Sequence, residues 1–513
     1  MSAAVPYLLA AAVVMPAVMG AAILLTLRHR LRGSRLASLA SCLALTAIAA
    51  ALVAHASGGT IESYALGDWR APFGIVLVLD RLSAMMLLLT AVLAFAVMIY
   101  AVATGIDRKG WHFHPLFQFQ LLGLNGAFLT GDLFNLFVFF EVLLIASYGL
   151  LLHAQGAERL KVGVQYVVIN LVGSTLFLVG VGLLYGVTGT LNMADLAVRV
   201  AAAPAGDQSL IAASALVLMT VFALKAAAAP LHFWLPGAYA ATTGAVAALF
   251  AIMTKVGAYA IIRTGTLIFG ADAGAAAFGV APWLLPAGIA TAFIGFIGLF
   301  AARSLRSMAA WSVLGSMGVL LAAVATFRVE AMGPSLYYVL HSTLAGAALF
   351  LVVDLIATRR GEQGDALTLA PRFCQAGILS GLFFLAAVGT IGLPPLSGFI
   401  GKLLILDGVR AAPAAAWIWA TVLVTTLIGV LAFARAGSLI FWKSSTLEGE
   451  IPTRALRGRV MGVSAAAGLL ACLALLSLLG GPVTAYADAA AAQLFDPGQY
   501  IAAVLGDKTG ALR

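Results

Sequence analysis

Five ionisable side chains stand in sequence that offers almost nothing else polar. Glu141 lies in LFVFFEVLLIASYG, Lys225 in FALKAAAAPLHFWLP, Lys255 in LFAIMTKVGAYA, Lys402 in GLPPLSGFIGKLL and His341 in LYYVLHSTLAGAALF. An ammonium or carboxylate held in a medium of low dielectric gives up its charge more readily, so both groups move toward exchanging protons near neutrality. One acid, three amines and an imidazole in separate apolar segments therefore point to a proton relay. A single lysine can also snorkel or pair structurally, and a single buried histidine can be a satisfied packing residue. An acid and three lysines together have no simple packing reason.

The elements that hold these groups follow from composition. The 513 residues are 63% hydrophobic and 10% charged, with mean hydropathy +1.06, where a soluble domain carries roughly 25% charged residues. Apolar runs of about 20 residues, the length of a membrane-crossing helix, recur throughout. Fourteen spans are expected: 4–27, 34–56, 72–103, 113–131, 132–153, 161–188, 209–239, 243–269, 279–301, 304–327, 334–357, 373–408, 413–442 and 458–481. Only helices are expected, because the runs lack the alternation of barrel strands. The pair meeting at Gly131-Asp132 needs a tight turn, and the long spans from 72 and 373 have length to tilt or break.

An ionisable residue at a span centre costs roughly 2.5–3.5 kcal/mol on insertion scales and usually faces a cavity or a partner. Prolines supply the cavity. Pro230 lacks an N–H and crowds the carbonyl of Ala226, so the span should break just after Lys225. GTIGLPPLSGFIGK repeats the arrangement with Pro394 and Pro395 ahead of Lys402. Two interrupted spans in corresponding positions of two halves, running in opposite directions, indicate inverted repeats.

Basic residues set the orientation. Arg28, Arg30, Arg32 and Arg35 follow the first span; Arg108 and Lys109, Arg159 and Lys161, Arg303 and Arg306, Arg359, Arg360 and Arg372, then Lys443, Arg454, Arg457 and Arg459 continue the bias in every second loop. The alternate loops hold Arg70, Arg199, Arg328 and Arg410. The basic loops are therefore expected in the cytoplasm, with the N-terminus and segment 482–513 outside. No basic residue precedes the first span, so a retained helix is expected rather than a cleaved signal. The net charge of +9 reads as topology and contact with anionic lipid, with no nucleic-acid partner.

Other features carry less. Cys42, Cys374 and Cys472 have no metal spacing, FIGK lacks the remainder of a phosphate loop, and His112 and His114 have no thiol or carboxylate company in sequence. Neither cofactor nor metal is expected.

The strings GLNGAFLTGDLFNLFVFFEVLLIASYGLLLH (123–153), LKAAAAPLHFWLPGAYA (224–240) and GLPPLSGFIGK (392–402) resemble the D subunit of the multisubunit Mrp-type cation/proton antiporters, nearly end to end. That protein is similar in turn to the antiporter-like subunits of complex I and membrane-bound hydrogenases. The resemblance implies an all-α integral membrane fold of about fourteen helices. Its two inverted five-helix repeats would be spans 4–8 and 9–13, with broken seventh and twelfth spans. The corresponding units are 1–112, 113–269, 279–442 and 443–513. It further implies that Glu141, Lys225, Lys255, His341 and Lys402 carry protons, with His232 of the PxHxWLP element on a secondary path. Two positions depart from the pattern: Gly346 stands where many relatives have lysine, and Tyr239 where they have histidine. Implied partners are the A, B, C, E, F and G subunits of an Mrp-type complex, protons, sodium or potassium, and lipid of the cell membrane. The function implied is that of one component of a secondary transporter; the alternative is a proton-pumping component of a respiratory complex.

Overall fold

The computed structural model describes residues 5–69, 73–447 and 459–506. Arg70, Arg454, Arg457 and residues 507–513 lie outside them, as does the side chain of Arg459. Helices α1 (Val5–Ala22), α2 (Leu31–Ala56), α3 (Arg81–Thr104), α4 (Phe113–Leu129), α5 (Leu133–Leu151) and α6 (Ala157–Thr188) lead to the short α7 (Met193–Ala201). Then come α8 (Gln208–Lys225), α9 (Trp234–Ala241), α10 (Gly244–Phe250), α11 (Met253–Leu267), α12 (Ala281–Ala301), α13 (Leu305–Val324) and α14 (Val329–Arg359). The chain closes with α15 (Ala376–Ile391), α16 (Ser397–Gly408), α17 (Ala415–Gly437), α18 (Arg459–Leu478), α19 (Gly480–Leu494) and α20 (Pro497–Leu505).

Twelve helical stretches among the described residues are long and apolar enough to cross a membrane. Two expected spans fall short of that length for different reasons. The span at 113–131 forms α4, of 17 residues, and 373–408 is divided into α15 and α16, of 16 and 12 residues. Burial separates the centre of the bundle from its rim. The most apolar window of Gly244–Leu267 is wholly buried and that of Val329–Arg359 is 89% buried, against 33% for Val5–Leu27. Lys255 and His341 thus lie on the innermost elements.

Three expectations need correction. The run at 72–103 is not one helix: Val76–Leu79 (β2) pairs antiparallel with Glu62–Ala65 (β1), Glu62 opposite Leu79, and the helix begins only at Arg81. Asp80 sets that boundary, its carboxylate accepting from the Ser83 N–H while the Ser83 hydroxyl accepts from the Asp80 N–H, a capping box. A small hairpin therefore joins the otherwise helical fold. The span at 243–269 is interrupted between Phe250 and Met253. Segment 482–513, expected only as an external tail, forms α19 and α20 as far as Leu505, with α19 packed on α14.

Each end of the bundle has its own ionic clasp. At the end bearing the basic loops, Arg35 donates two hydrogen bonds to Asp107, at 2.6 and 2.7 Å, and His114 meets the same carboxylate at 3.2 Å. His114 is buried, at 3% exposure. Burial alone would raise the Asp107 carboxyl, but Arg35 and His114 hold it below its ordinary value. At the opposite end Arg263 of α11 pairs with Asp80 at 2.6 Å and stacks on Tyr500 of α20, tying the hairpin and the C-terminal helices to the core.

Candidate functional site

The first broken span delivers Lys225. It is the last residue of α8, because Ala227 takes positive φ (+55°) and Pro230 offers no N–H. Side chains satisfy the broken turn: Trp234 Nε1 donates to the Leu224 carbonyl at 3.1 Å, and the Ala229 N–H donates to Thr291 Oγ1 of α12 at 2.7 Å. The break thereby joins the two halves of the chain. Lys225 is 8% exposed, and its Nζ donates to Asn170 Oδ1 of α6 at 3.1 Å. Gly173 lets Leu224 at the end of α8 pack closely on α6, since a Cβ there would lie 2.6 Å from Leu224 Cδ2.

Glu141 is half-buried on α5 and makes no direct ion pair with Lys225. The two are joined through one turn of α6. Ser174 Oγ has one proton to give to either of two acceptors within reach, Glu141 Oε1 and the Asn170 main-chain carbonyl, while the Asn170 side chain accepts from Lys225 through Oδ1. A carboxylate and an ammonium are thus held apart by two neutral side chains. Asn170 and Ser174 are missing from the expected site. Their signal was present in VVINLVGSTLF, as two polar residues one turn apart in an apolar span, but neither ionises.

A small cavity of about 10 Å³, room for one water, continues from Lys225, Asn170, Tyr166 and Trp234 to Met253 and Val256. Those last two flank Lys255 in sequence. Gly257 brings α11 against the end of α8, for a Cβ there would lie 2.7 Å from the Phe222 carbonyl oxygen. Lys255 is wholly buried, and neither its Nζ nor the Thr254 hydroxyl has a hydrogen-bond partner among the described residues. The interruption before it has a cause: the Tyr239 hydroxyl donates to the Phe250 carbonyl at 2.7 Å, a bond the helix would otherwise use. Tyr239 thus braces the central lysine's helix.

His341 of α14 is 1% exposed, bonds Ser397 Oγ at 2.9 Å through Nδ1, and turns Nε2 toward Gly398. Its Nε2 and the Lys402 side chain border the adjoining Gly398 and Gly392, so the imidazole and the amine share the second break. Gly346, one turn on, packs beneath Val313 and Ala251, so its position borders the α10–α11 interruption. Lys402 of α16 reaches back across the second break. Its Nζ donates to the Ile391 carbonyl at 2.6 Å and to Thr426 Oγ1 at 2.8 Å, and lies 5.4 Å from the centre of the Phe296 ring. His232 stands apart, half-buried within the first break with Nδ1 unpartnered among the described residues and no bond to Lys225.

The order along the molecule is therefore Glu141, Ser174, Asn170, Lys225, cavity, Lys255, His341, Lys402. Residues 130–429 match the family model described as NADH:quinone oxidoreductase/Mrp antiporter, transmembrane. The chain belongs to that family. It is 43% identical over 462 residues to the D subunit of a probable K⁺/H⁺ antiporter of Rhizobium meliloti, covering 85% of this chain and 84% of the relative. It is 37% identical over 453 residues to the D subunit of the Na⁺/H⁺ antiporter of Bacillus subtilis, covering 87% and 88%. A chain of the Mrp complex from a Dietzia species superposes with TM-score 0.86 at 29% identity, over 98% of this chain and 99% of that one. A chain of respiratory complex I from Thermus thermophilus shares the fold, with TM-score 0.78 at 24% identity over 95% and 99%.

Proposed function

We propose that this chain is the proton-translocating D subunit of a multisubunit Mrp-type antiporter that exchanges a monovalent cation for protons. It is one component of a transporter, and its partners are the other subunits of that complex. The observation that carries the reading is that Glu141 and Lys225 both bond to the same turn of α6, Glu141 at Ser174 and Lys225 at Asn170. Placing four charged residues at span centres costs roughly 10 kcal/mol on insertion scales, and a relay is the use that repays it.

The stations differ in how well they hold an ammonium. Lys225 has one neutral acceptor, Lys255 none and Lys402 two among the described residues. A proton on Lys255 is therefore the least stabilised and the first to move on, toward His341 and Lys402. Glu141 biases the first station through Asn170 and Ser174. Opposite charges about 4 Å apart interact by about 4 kcal/mol at an effective dielectric of 20, and separation by two side chains weakens this to a tunable level.

Two inverted repeats, 113–269 and 279–442, flanked by 1–112 and 443–513, form the scaffold, each with one lysine-bearing broken span. The basic loops face the cytoplasm and the N-terminus lies outside the cell membrane. Single cysteines in the Arg28–Arg35 loop of a cysteine-free complex should react only from the cytoplasmic side; labelling from outside would reverse the orientation. The purified complex in liposomes should move protons when sodium or potassium is added. The chain expressed alone should not restore salt tolerance to an antiporter-deficient cell, and full rescue would refute its need for partners.

A further inference from the structure

The surroundings of Lys402 differ from those of the other lysines in a way that bears on the cation. Residues 394 and 395 are both proline, so the carbonyls of Thr390 and Ile391, four residues earlier, have no helical N–H to meet. They sit at the C-terminal end of α15, where the helix dipole is negative. Thr426 spends its hydroxyl proton on the Val422 carbonyl at 2.6 Å, which leaves its lone pairs for the ammonium. The Phe296 ring closes another side. Among the described residues no carboxylate lies within ion-pair distance of Lys402.

We infer that this cradle of neutral oxygens, formed by the Ile391 carbonyl, the Thr426 hydroxyl and the freed end of α15, is where a monovalent alkali cation and the proton of Lys402 take turns. The inference rests on the antiport reading and locates its exchange step. Unwound carbonyls and half-helix C-termini are suitable ligands for a small monovalent cation. The ammonium occupies them as such a cation would. When Lys402 gives up its proton its amine is neutral, and an entering cation restores the same single positive charge. The N–H bond breaks, its electron pair stays on nitrogen, the proton leaves to bulk water, and the site's net charge is unchanged over the cycle.

Simultaneous occupancy is excluded by electrostatics. Two unit positive charges about 4 Å apart at an effective dielectric of 20 weaken binding of the second by roughly a thousandfold. With no carboxylate among the described residues at that distance, nothing offsets the repulsion, so one cation enters as one proton leaves. Lys225, with one oxygen, and Lys255, with none, offer no comparable cradle. The titratable groups facing α16 are His341, Tyr337 and Tyr338 of α14. Helices α12 and α15 carry none, α17 carries Arg435, which turns to the Ala302 carbonyl, and α18 carries Arg459 and Cys472.

Equilibrium binding of radioactive sodium and rubidium to the purified complex, across a range of pH, tests this. In the unmodified complex the apparent dissociation constant should rise about tenfold per unit of falling pH where Lys402 is protonated. Lys402→Ala should abolish exchange yet keep cation binding, now independent of pH. Thr426→Val should raise the cation KM by roughly tenfold while exchange persists. Binding unaffected by pH in the unmodified complex, pH-dependent binding that survives Lys402→Ala, or an unaltered KM in Thr426→Val would each overturn the inference. The same liposomes distinguish the two failures. Cation-driven proton movement that persists leaves the antiport reading standing, and its absence from the unmodified complex removes both.

Discussion

The two broken spans use the same device to opposite ends. In the first, the lysine is the last residue before the break and points away from it, to an asparagine on a neighbouring helix. In the second, the lysine follows the break and reaches back, closing it with a bond to the Ile391 carbonyl. A break thus supplies two distinct things: an end for a helix that must present an amine, and freed carbonyls that can hold one. Lys225 is poised by a carboxylate two side chains away, whereas Lys402 is held by oxygens alone. The first suits a tuned donor and the second a terminal acceptor.

The largest effect should come from charge that cannot be released. Lys402→Arg keeps a cation at the second break but one that does not deprotonate, so the complex should assemble while exchange falls by at least about a hundredfold. Retained exchange would mean that Lys402 serves only to close the break. At the first break the corresponding change is Asn170→Leu, which removes the side-chain acceptor of Lys225 and leaves in place the main-chain carbonyl that Ser174 meets. Exchange should fall by roughly tenfold, since a hydrogen bond to a charged group contributes about 1.5–3 kcal/mol; initial rates of proton movement in liposomes give the number.

Much of this was legible in the sequence because each ionisable residue in a span is costly and so seldom accidental. Pro230, Pro394 and Pro395 marked the two breaks for the same kind of reason: the missing N–H is a local fact. The interruption before Lys255 was not legible, because LFAIMTK holds no proline or glycine; the cause is Tyr239, which takes the Phe250 carbonyl from outside the helix. Val76–Leu79 read as helix because a short apolar run flanking a longer one has the same periodicity in either state. Asn170 and Ser174 escaped notice because they are neutral, and their part emerges only once α6 lies between α5 and α8. Glu141 and Lys225 meet only through the helix that lies between them, which no spacing in the sequence shows.

A packing comparison should give a smaller effect on exchange and a clear one on stability. Gly257→Val pushes α11 off the end of α8, and overpacking of this kind costs about 1–3 kcal/mol, so the complex should melt at lower temperature. Gly182→Ala, where nothing lies within 4 Å, should leave melting unchanged or slightly raised. The smallest effect on exchange belongs to the clasp at Asp107. Its folded carboxyl sits below the unfolded value, so its stabilisation is complete above the unfolded pKa and is lost as pH falls through the folded one. Arg35→Gln should therefore cost about 1.5–3 kcal/mol near neutrality, with the difference from the unmodified protein vanishing in acid, and leave exchange intact.

A double-mutant cycle on Glu141 and Lys225 tests the relay most directly, with assembly and cation-dependent proton movement both measured. Lys225→Ala, Glu141→Ala and the double variant should all assemble and all be inactive, because a tuned donor fails when either charge is lost. Were the two merely a structural pair, each single variant would strand a charge and lose assembly, and the double variant would recover both assembly and exchange. Restored exchange in the double variant would contradict the relay.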